Sequence, residues 1–173
     1  NDHQTAWVLA RGAAHPNAAG GKPGLLRTGG GFSPLRQVCL DIAEGGVNDM
    51  LMSALKAKTL GYLEACGVDA DGTPVGCGRV GELEAPMLFE DFLALCKTAL
   101  NANGLRYHYA GKPVKKLAVM GGAGGSSLTD AVAAGCDTYV TSDIKYNSFL
   151  DAKELGINLI DADHFCTENV VVP

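Results

Sequence analysis

The residues best suited to chemistry by type and spacing lie near the end of the chain, in Asp161-Ala162-Asp163-His164-Phe165-Cys166-Thr167-Glu168. His164 and Glu168 are four apart, so a helix starting there projects both from one face. An imidazole and a carboxylate so placed suit a divalent metal ion, with Asp163 able to orient the ring from outside. A capped helix start with a solvated His–Glu pair has the same spacing, which leaves both open. A second group is Gly121-Gly122-Ala123-Gly124-Gly125-Ser126. Between a strand and a helix, such a loop suits an anion held by backbone N–H groups. It lacks the Gly-Lys-Ser/Thr ending of a P-loop and a clean GxGxxG spacing, so a plain tight turn competes with anion binding. Thr141-Ser142-Asp143 reads most simply as an N-cap for the helix after it. His108, flanked by Tyr107 and Tyr109, reads as a strand surface residue. No Ser–His–Asp order and no reactive-cysteine context stands out.

The elements that must position these groups follow from periodicity. Val38-Cys39-Leu40 is a short apolar run ending in Asp41, which predicts a strand with a carboxylate at its C-terminal end. After Gly45-Gly46, Val47, Met50, Leu51, Ala54 and Leu55 follow the spacing of an amphipathic helix. Residues 59–85 predict two strands and their turns. Phe89, Phe92, Leu93, Cys96 and Leu100 predict a second helix, stopped near Asn103-Gly104. The last third is the most regular: strand Val114 to Met120, helix Ser127 to Ala134, strand Thr138 to Thr141, helix Asp143 to Leu155 closed by Gly156, strand Ile157 to Ile160. This β-α-β-α-β order implies parallel strands, and in such sheets ligands bind in the crevice at the carboxyl ends of the strands. The polar loops at Gly121, Thr141 and Asp161 therefore converge on one edge. The fold class is α/β, a layered sheet with flanking helices. Residues 1–36, rich in Gly, Ala, Pro and Arg without either period, form an atypical segment expected to be loop-rich or poorly ordered.

Composition bounds the function. The 173 residues suit one domain or one and a half. With 47% hydrophobic and 19% charged residues, a packed core is expected and wholesale disorder is not. A net charge of −5 argues against a nucleic-acid clamp, which needs clustered Lys and Arg. No apolar run reaches the roughly 18–20 residues of a membrane span, and no apolar signal region opens the chain. None of the six cysteines forms a CxxC pair and most lie in apolar runs, so buried reduced thiols in a cytoplasmic protein are expected.

Five segments in register resemble one family, the Nif-three-like dinuclear metal-centre proteins, also labelled GTP cyclohydrolase I type 2 homologues. They are Leu40-Asp41-Ile42-Ala43-Glu44-Gly45-Gly46-Val47-Asn48-Asp49, Gly78-Arg79-Val80-Gly81-Glu82-Leu83, Val119-Met120 with the Gly-rich loop, Thr141-Ser142-Asp143-Ile144-Lys145-Tyr146, and Leu159 through Glu168. The resemblance covers residues 37–173 as a partial metal-binding α/β domain and implies Asp41, His164 and Glu168 as metal ligands. It further implies a divalent ion (Zn, Mn or Fe), up to two per site, a hexameric homo-oligomer, and metal-dependent hydrolysis of a nucleotide-like small molecule. The rival expectation is a metal-binding or interaction protein with a degenerate centre and no turnover. The chain departs from the family pattern at Gln37, Ser142, Asn147 and Asp163, and across residues 1–36. Its C-terminus is expected to be truncated relative to the family.

Overall fold

A computed structural model describes residues 45–68, 72 and 74–172. The expected strand at Val38, the ligand candidate Asp41 and the segment 1–36 lie outside the described residues.

Helix α1 (Val47–Ala54) starts after Gly46 and buries Val47, Leu51 and Met52. Asp49 in its first turn accepts from the Gly45 N–H at 2.7 Å, where a carboxylate also favours the helix dipole. Two long strands follow, β1 (Ala57–Val68) and β2 (Pro74–Met87), paired antiparallel with register shifts between Thr59 and Gly61 and between Ala65 and Gly67. Helix α2 (Phe89–Ala99) buries Phe89, Phe92 and Cys96, the i, i+3, i+7 stripe that the sequence carries. The short β3 (Arg106–His108) lies on the sheet edge, as expected for His108.

The remainder alternates as its pattern predicts. Strand β4 (Val114–Val119) leads through a 3-10 turn at Gly125–Ser127 into α3 (Leu128–Ala133), then β5 (Thr138–Thr141), α4 (Tyr146–Leu155), β6 (Asn158–Asp161) and the short α5 (His164–Glu168). Among the described residues the sheet has six strands in the order β1-β2-β4-β5-β6-β3. β4, β5 and β6 run parallel, while the pairings of β2 with β4 and of β3 with β6 are antiparallel.

Period-2 alternation sends successive side chains of the central strands to opposite faces. Leu117, Val119, Val140 and Ile160 pack with Leu51 and Met52 of α1 and Phe89, Phe92 and Cys96 of α2. Ala118, Tyr139 and Leu159 pack on the other face with Leu128 and Ala131 of α3 and Ala152 of α4. The sheet is thus covered by helices on both sides. Each large apolar side chain buried this way contributes about 1.5–3 kcal/mol. Among the described residues, no helix is long and apolar enough to cross a membrane.

Two expectations need correction. The helix expected from Asp143 begins at Tyr146, with Lys145 as an N-cap that makes no side-chain capping bond. Asp143 instead adopts a left-handed backbone, φ 52°, which ends the strand connection before any helix starts. The cysteines are also less buried than their apolar neighbours suggested. Cys96 and Cys136 are buried, but Cys66, Cys77 and Cys166 are half-buried; Cys66 lies on β1, an edge strand among the described residues, and Cys39 is outside them.

Candidate metal-binding cleft

The carboxyl ends of β4, β5 and β6 carry the three polar loops, and hydrogen bonds knit them together. The Ala162 N–H donates to the Thr141 carbonyl. The Gly122 carbonyl accepts from the Ser142 hydroxyl at 2.6 Å, the Ser142 N–H at 3.1 Å and the Thr141 hydroxyl at 3.1 Å. Ser142 and Thr141 are therefore braces of the Gly-rich loop, not helix caps. The strand end delivers both hydroxyls beside Gly122, four or more residues before the next helix has N–H groups to offer. Asp161, only 5% exposed, accepts from the Ile144 N–H at 3.2 Å and from Arg106, which also donates to the Ile144 carbonyl. That carboxylate fixes the loop carrying Asp143 against the strand leading to His164.

Three backbone donors of the Gly-rich loop are spent within the fold. The Gly121 N–H donates to Asn48 Oδ1 of α1 at 2.9 Å, the Gly122 N–H to Thr167 Oγ1 of α5 at 3.1 Å, and the Gly124 N–H to Thr141 Oγ1 at 3.0 Å. Phosphate cradles need such N–H groups aimed at the ligand; these three hold α1, α5 and β5 to the loop. Of the two readings of this loop, the tight turn is the one these bonds favour.

Helix α5 begins where the spacing of His164 and Glu168 predicts. Asp163, in a left-handed backbone with φ 69°, is its N-cap and accepts from the Phe165 N–H at 3.0 Å. Asp163 therefore does not orient the imidazole. Asp143 does, its Oδ2 standing 2.6 Å from His164 Nδ1. On the other side of the ring, Nε2 stands 3.0 Å from Glu168 Oε1. The Asp143 hydrogen bond raises the His164 pKa above its usual 6.5; burial opposes this more weakly, and the Glu168 charge adds to the rise.

Gly122 makes this approach possible. Its φ is +70°, and a Cβ there would lie 2.6 Å from Glu168 Oε1 and 3.4 Å from the His164 ring. His164, Glu168, Gly121, Gly122, Asn48 and Cys77 are among the residues lining a cleft of about 290 Å³. The structure brings His164 and Glu168 together; Asp41, the third expected ligand, is outside the described residues. Sequence reasoning missed Asp143 as the partner of His164, together with Asn48, Thr167 and Cys77. Asn48, Asp143 and Thr167 do stand inside segments that carry the family resemblance, and that was the available signal.

Comparisons with known proteins agree with this architecture. The sequence model of Duf34/NIF3 (NGG1p interacting factor 3) matches residues 38–173. A Clostridium perfringens protein named GTP cyclohydrolase 1 type 2 homolog is 34% identical over 131 residues, 74% of this chain and 48% of its own length. A Streptococcus pneumoniae protein of the same name is 32% identical, over 73% of this chain and 47% of its own. The crystal structure of a Staphylococcus aureus hypothetical protein superposes with a TM-score of 0.70 at 29% identity, covering 77% of this chain and 55% of the other. The chain spans about half the length of these relatives.

Proposed function

The chain belongs to the Duf34/NIF3 family, and we propose that it binds a divalent metal ion (Zn, Mn or Fe) at His164 and Glu168 and uses it to hydrolyse a nucleotide-like substrate. The observation that carries this reading is the placement of the His164 ring. Its Nδ1–H donates to Asp143, and Nε2 stands 3.0 Å from Glu168 Oε1. The raised pKa favours a proton between them in the metal-free protein, and once that proton leaves, the Nε2 lone pair faces the carboxylate. Two electron-pair donors facing each other call for a proton or a cation between them. A carboxylate behind a coordinating histidine is also the common outer arrangement at metal centres, fixing the tautomer and raising basicity.

The donor chemistry fits a borderline metal, though the described residues do not complete a site: among them, no three His, Cys, Asp or Glu side chains come together to hold an ion. The family resemblance supplies Asp41 as the further ligand. A bound divalent ion provides Lewis acidity for hydrolysis. This chain's own residues do the rest. Asp143 fixes the ring, Gly122 admits Glu168 to its side, and Asn48 and Thr167 hold the loop that forms the cleft wall. The substrate class comes from the names of the relatives, and the hexameric homo-oligomer implied by the family is part of the same proposal.

A second reading, metal binding without turnover, is favoured by that two-donor set. Elemental analysis of protein purified without chelator separates them from a merely structural role. His164→Ala should lower bound metal, with at most one ion per chain in the parent, while His108→Ala leaves it unchanged. Equal metal in both variants would reject the site. GTP turnover by the parent that disappears in His164→Ala supports hydrolysis; metal loss without any parent turnover supports the non-catalytic reading.

A further inference from the structure

Two thiols that the proposed metal chemistry does not use lie against each other, and one of them, Cys77, is at the wall of the same cleft. Cys66 on β1 and Cys77 on β2 have their sulfurs 3.3 Å apart, and both side chains are half-buried, within reach of solvent. The pairing of β1 with β2 explains the contact. Glu64 lies opposite Cys77 and Ala65 opposite Gly76, and then the register shifts before Gly67 meets Val75. Cys66 falls in that irregularity, where the local twist re-aims a side chain. Gly76 lets the strands close in, since a Cβ there would stand 2.3 Å from the Glu64 carbonyl oxygen.

We propose that Cys66 and Cys77 form a redox-active dithiol, a modification site that closes to a disulfide on reaction with a low-molecular-weight disulfide of the glutathione class. One cysteine thiolate attacks a sulfur of the reagent and expels the first reagent thiolate. The second cysteine thiolate then attacks the protein sulfur of the mixed disulfide and expels the other. Two protein thiols and one reagent disulfide become one protein disulfide and two reagent thiols, with two electrons passing to the reagent and the two protons to its thiolates. A disulfide needs its sulfurs at about 2.05 Å, so the pair must close by roughly 1.2 Å from its present separation. Among the described residues β1 is an edge strand with β2 as its one sheet neighbour, and the ladder between them is already irregular at Cys66.

The other described cysteines lack this arrangement. Cys96 and Cys136 sit in the two apolar cores, where burial pushes their thiols up to about 12 and about 11 and suppresses the reactive thiolate. Cys166 has its sulfur 3.9 Å from the Asn101 carbonyl. Cys77 also lines the cleft with His164 and Glu168, so closure would tie the edge strand to the wall of the site. The chemistry of the pair stands independently of any ion there.

The test uses the unmodified chain, equilibrated in buffers of stepped oxidised-to-reduced glutathione ratio, quenched with acid and alkylated. Trypsin releases both cysteines on one peptide, residues 59–79, and a second cut at Asp69 or Asp71 separates them. The expected result is two fragments held together by a Cys66–Cys77 bond, minus two hydrogens, which dithiothreitol reverses. Cys96 and Cys136 should stay alkylatable only after unfolding. The same titration in urea should need a glutathione ratio about tenfold or more oxidising, because the unfolded chain no longer holds the sulfurs together. An equal ratio in urea, or Cys66 and Cys77 carrying separate glutathiones with no internal link, would overturn the proposal. So would full alkylation of both cysteines in the most oxidising buffer.

Discussion

Replacing Asp49 with alanine should destabilise the fold by about 3 kcal/mol, although the residue touches neither His164 nor Glu168. Asp49 sits on α1 and pairs with Arg79 of β2, whose side chain is only 2% exposed. The guanidinium donates to the carboxylate twice, Nε to Oδ1 at 2.6 Å and Nη2 to Oδ2 at 3.0 Å. It also donates to the Gly76 and Gly78 carbonyls at 3.1 and 2.8 Å and lies 4.5 Å from the centre of the Tyr62 ring. Removing the carboxylate takes away two charge-assisted bonds from Arg79 worth about 1.5–3 kcal/mol each, along with the exposed bond from the Gly45 N–H. Asp49 is 22% exposed, so water enters the vacated place and the loss falls at the lower end of that sum. About 3 kcal/mol also matches the usual cost of removing one partner from a buried ion pair. Urea unfolding should show the midpoint falling with the slope unchanged, and the Tm should drop by about 6–12 °C for a chain of this size. Asp49→Leu combined with Arg79→Met should recover part of the loss, because the buried Arg79 charge is then removed together with the Asp49 carboxylate. A loss below about 1 kcal/mol in Asp49→Ala would refute the reasoning. It would mean that the other contacts of Arg79 satisfy it without the carboxylate.

Two further predictions concern the cleft. Gly122→Ala should reduce metal retained after dialysis and cost about 1–2 kcal/mol of stability, since an L-residue is strained at φ +70° and its Cβ would displace the Glu168 carboxylate; unchanged metal content would show that Glu168 is not a ligand. His164 should titrate above 6.5 in metal-free protein by NMR, and Asp143→Asn should bring it down, because the Asp143 hydrogen bond is the largest cause of the rise. The sign follows from linkage: a histidine raised on folding adds stability that is fully present below about 6.5 and is lost as pH climbs through the folded value. A His164 titration unmoved by Asp143→Asn would contradict the assigned cause.

Local patterns were enough for much of the fold. The short apolar runs from Val114 to Met120, Thr138 to Thr141 and Ile157 to Ile160, separated by helical periods, point to the parallel unit, because strands buried on both faces read as near-continuous apolar runs. Gly156 could be recognised as a helix stop, and it is one, at φ 66°. His164 and Glu168 were legible for the same reason. Two side chains four residues apart, about one helical turn, need no other part of the chain to meet.

Contacts made across the chain were decided only in three dimensions. Gly121 and Asn48 are 73 residues apart, and Asp143 reaches His164 from another loop; neither pairing follows from any local period. The Gly-rich loop and Thr141-Ser142 show the physical reason. A backbone N–H can serve an anion, a helix or a neighbouring side chain equally well, and a hydroxyl beside a strand end can cap a helix or hold a carbonyl. In the fold, the register of β4 against β5 puts Thr141 and Ser142 beside Gly122, and the packing of α1 and α5 puts Asn48 and Thr167 beside the loop. Proximity set by the sheet assigns each donor its acceptor, so the same residues become the braces of a cleft instead of a phosphate cradle and a helix cap.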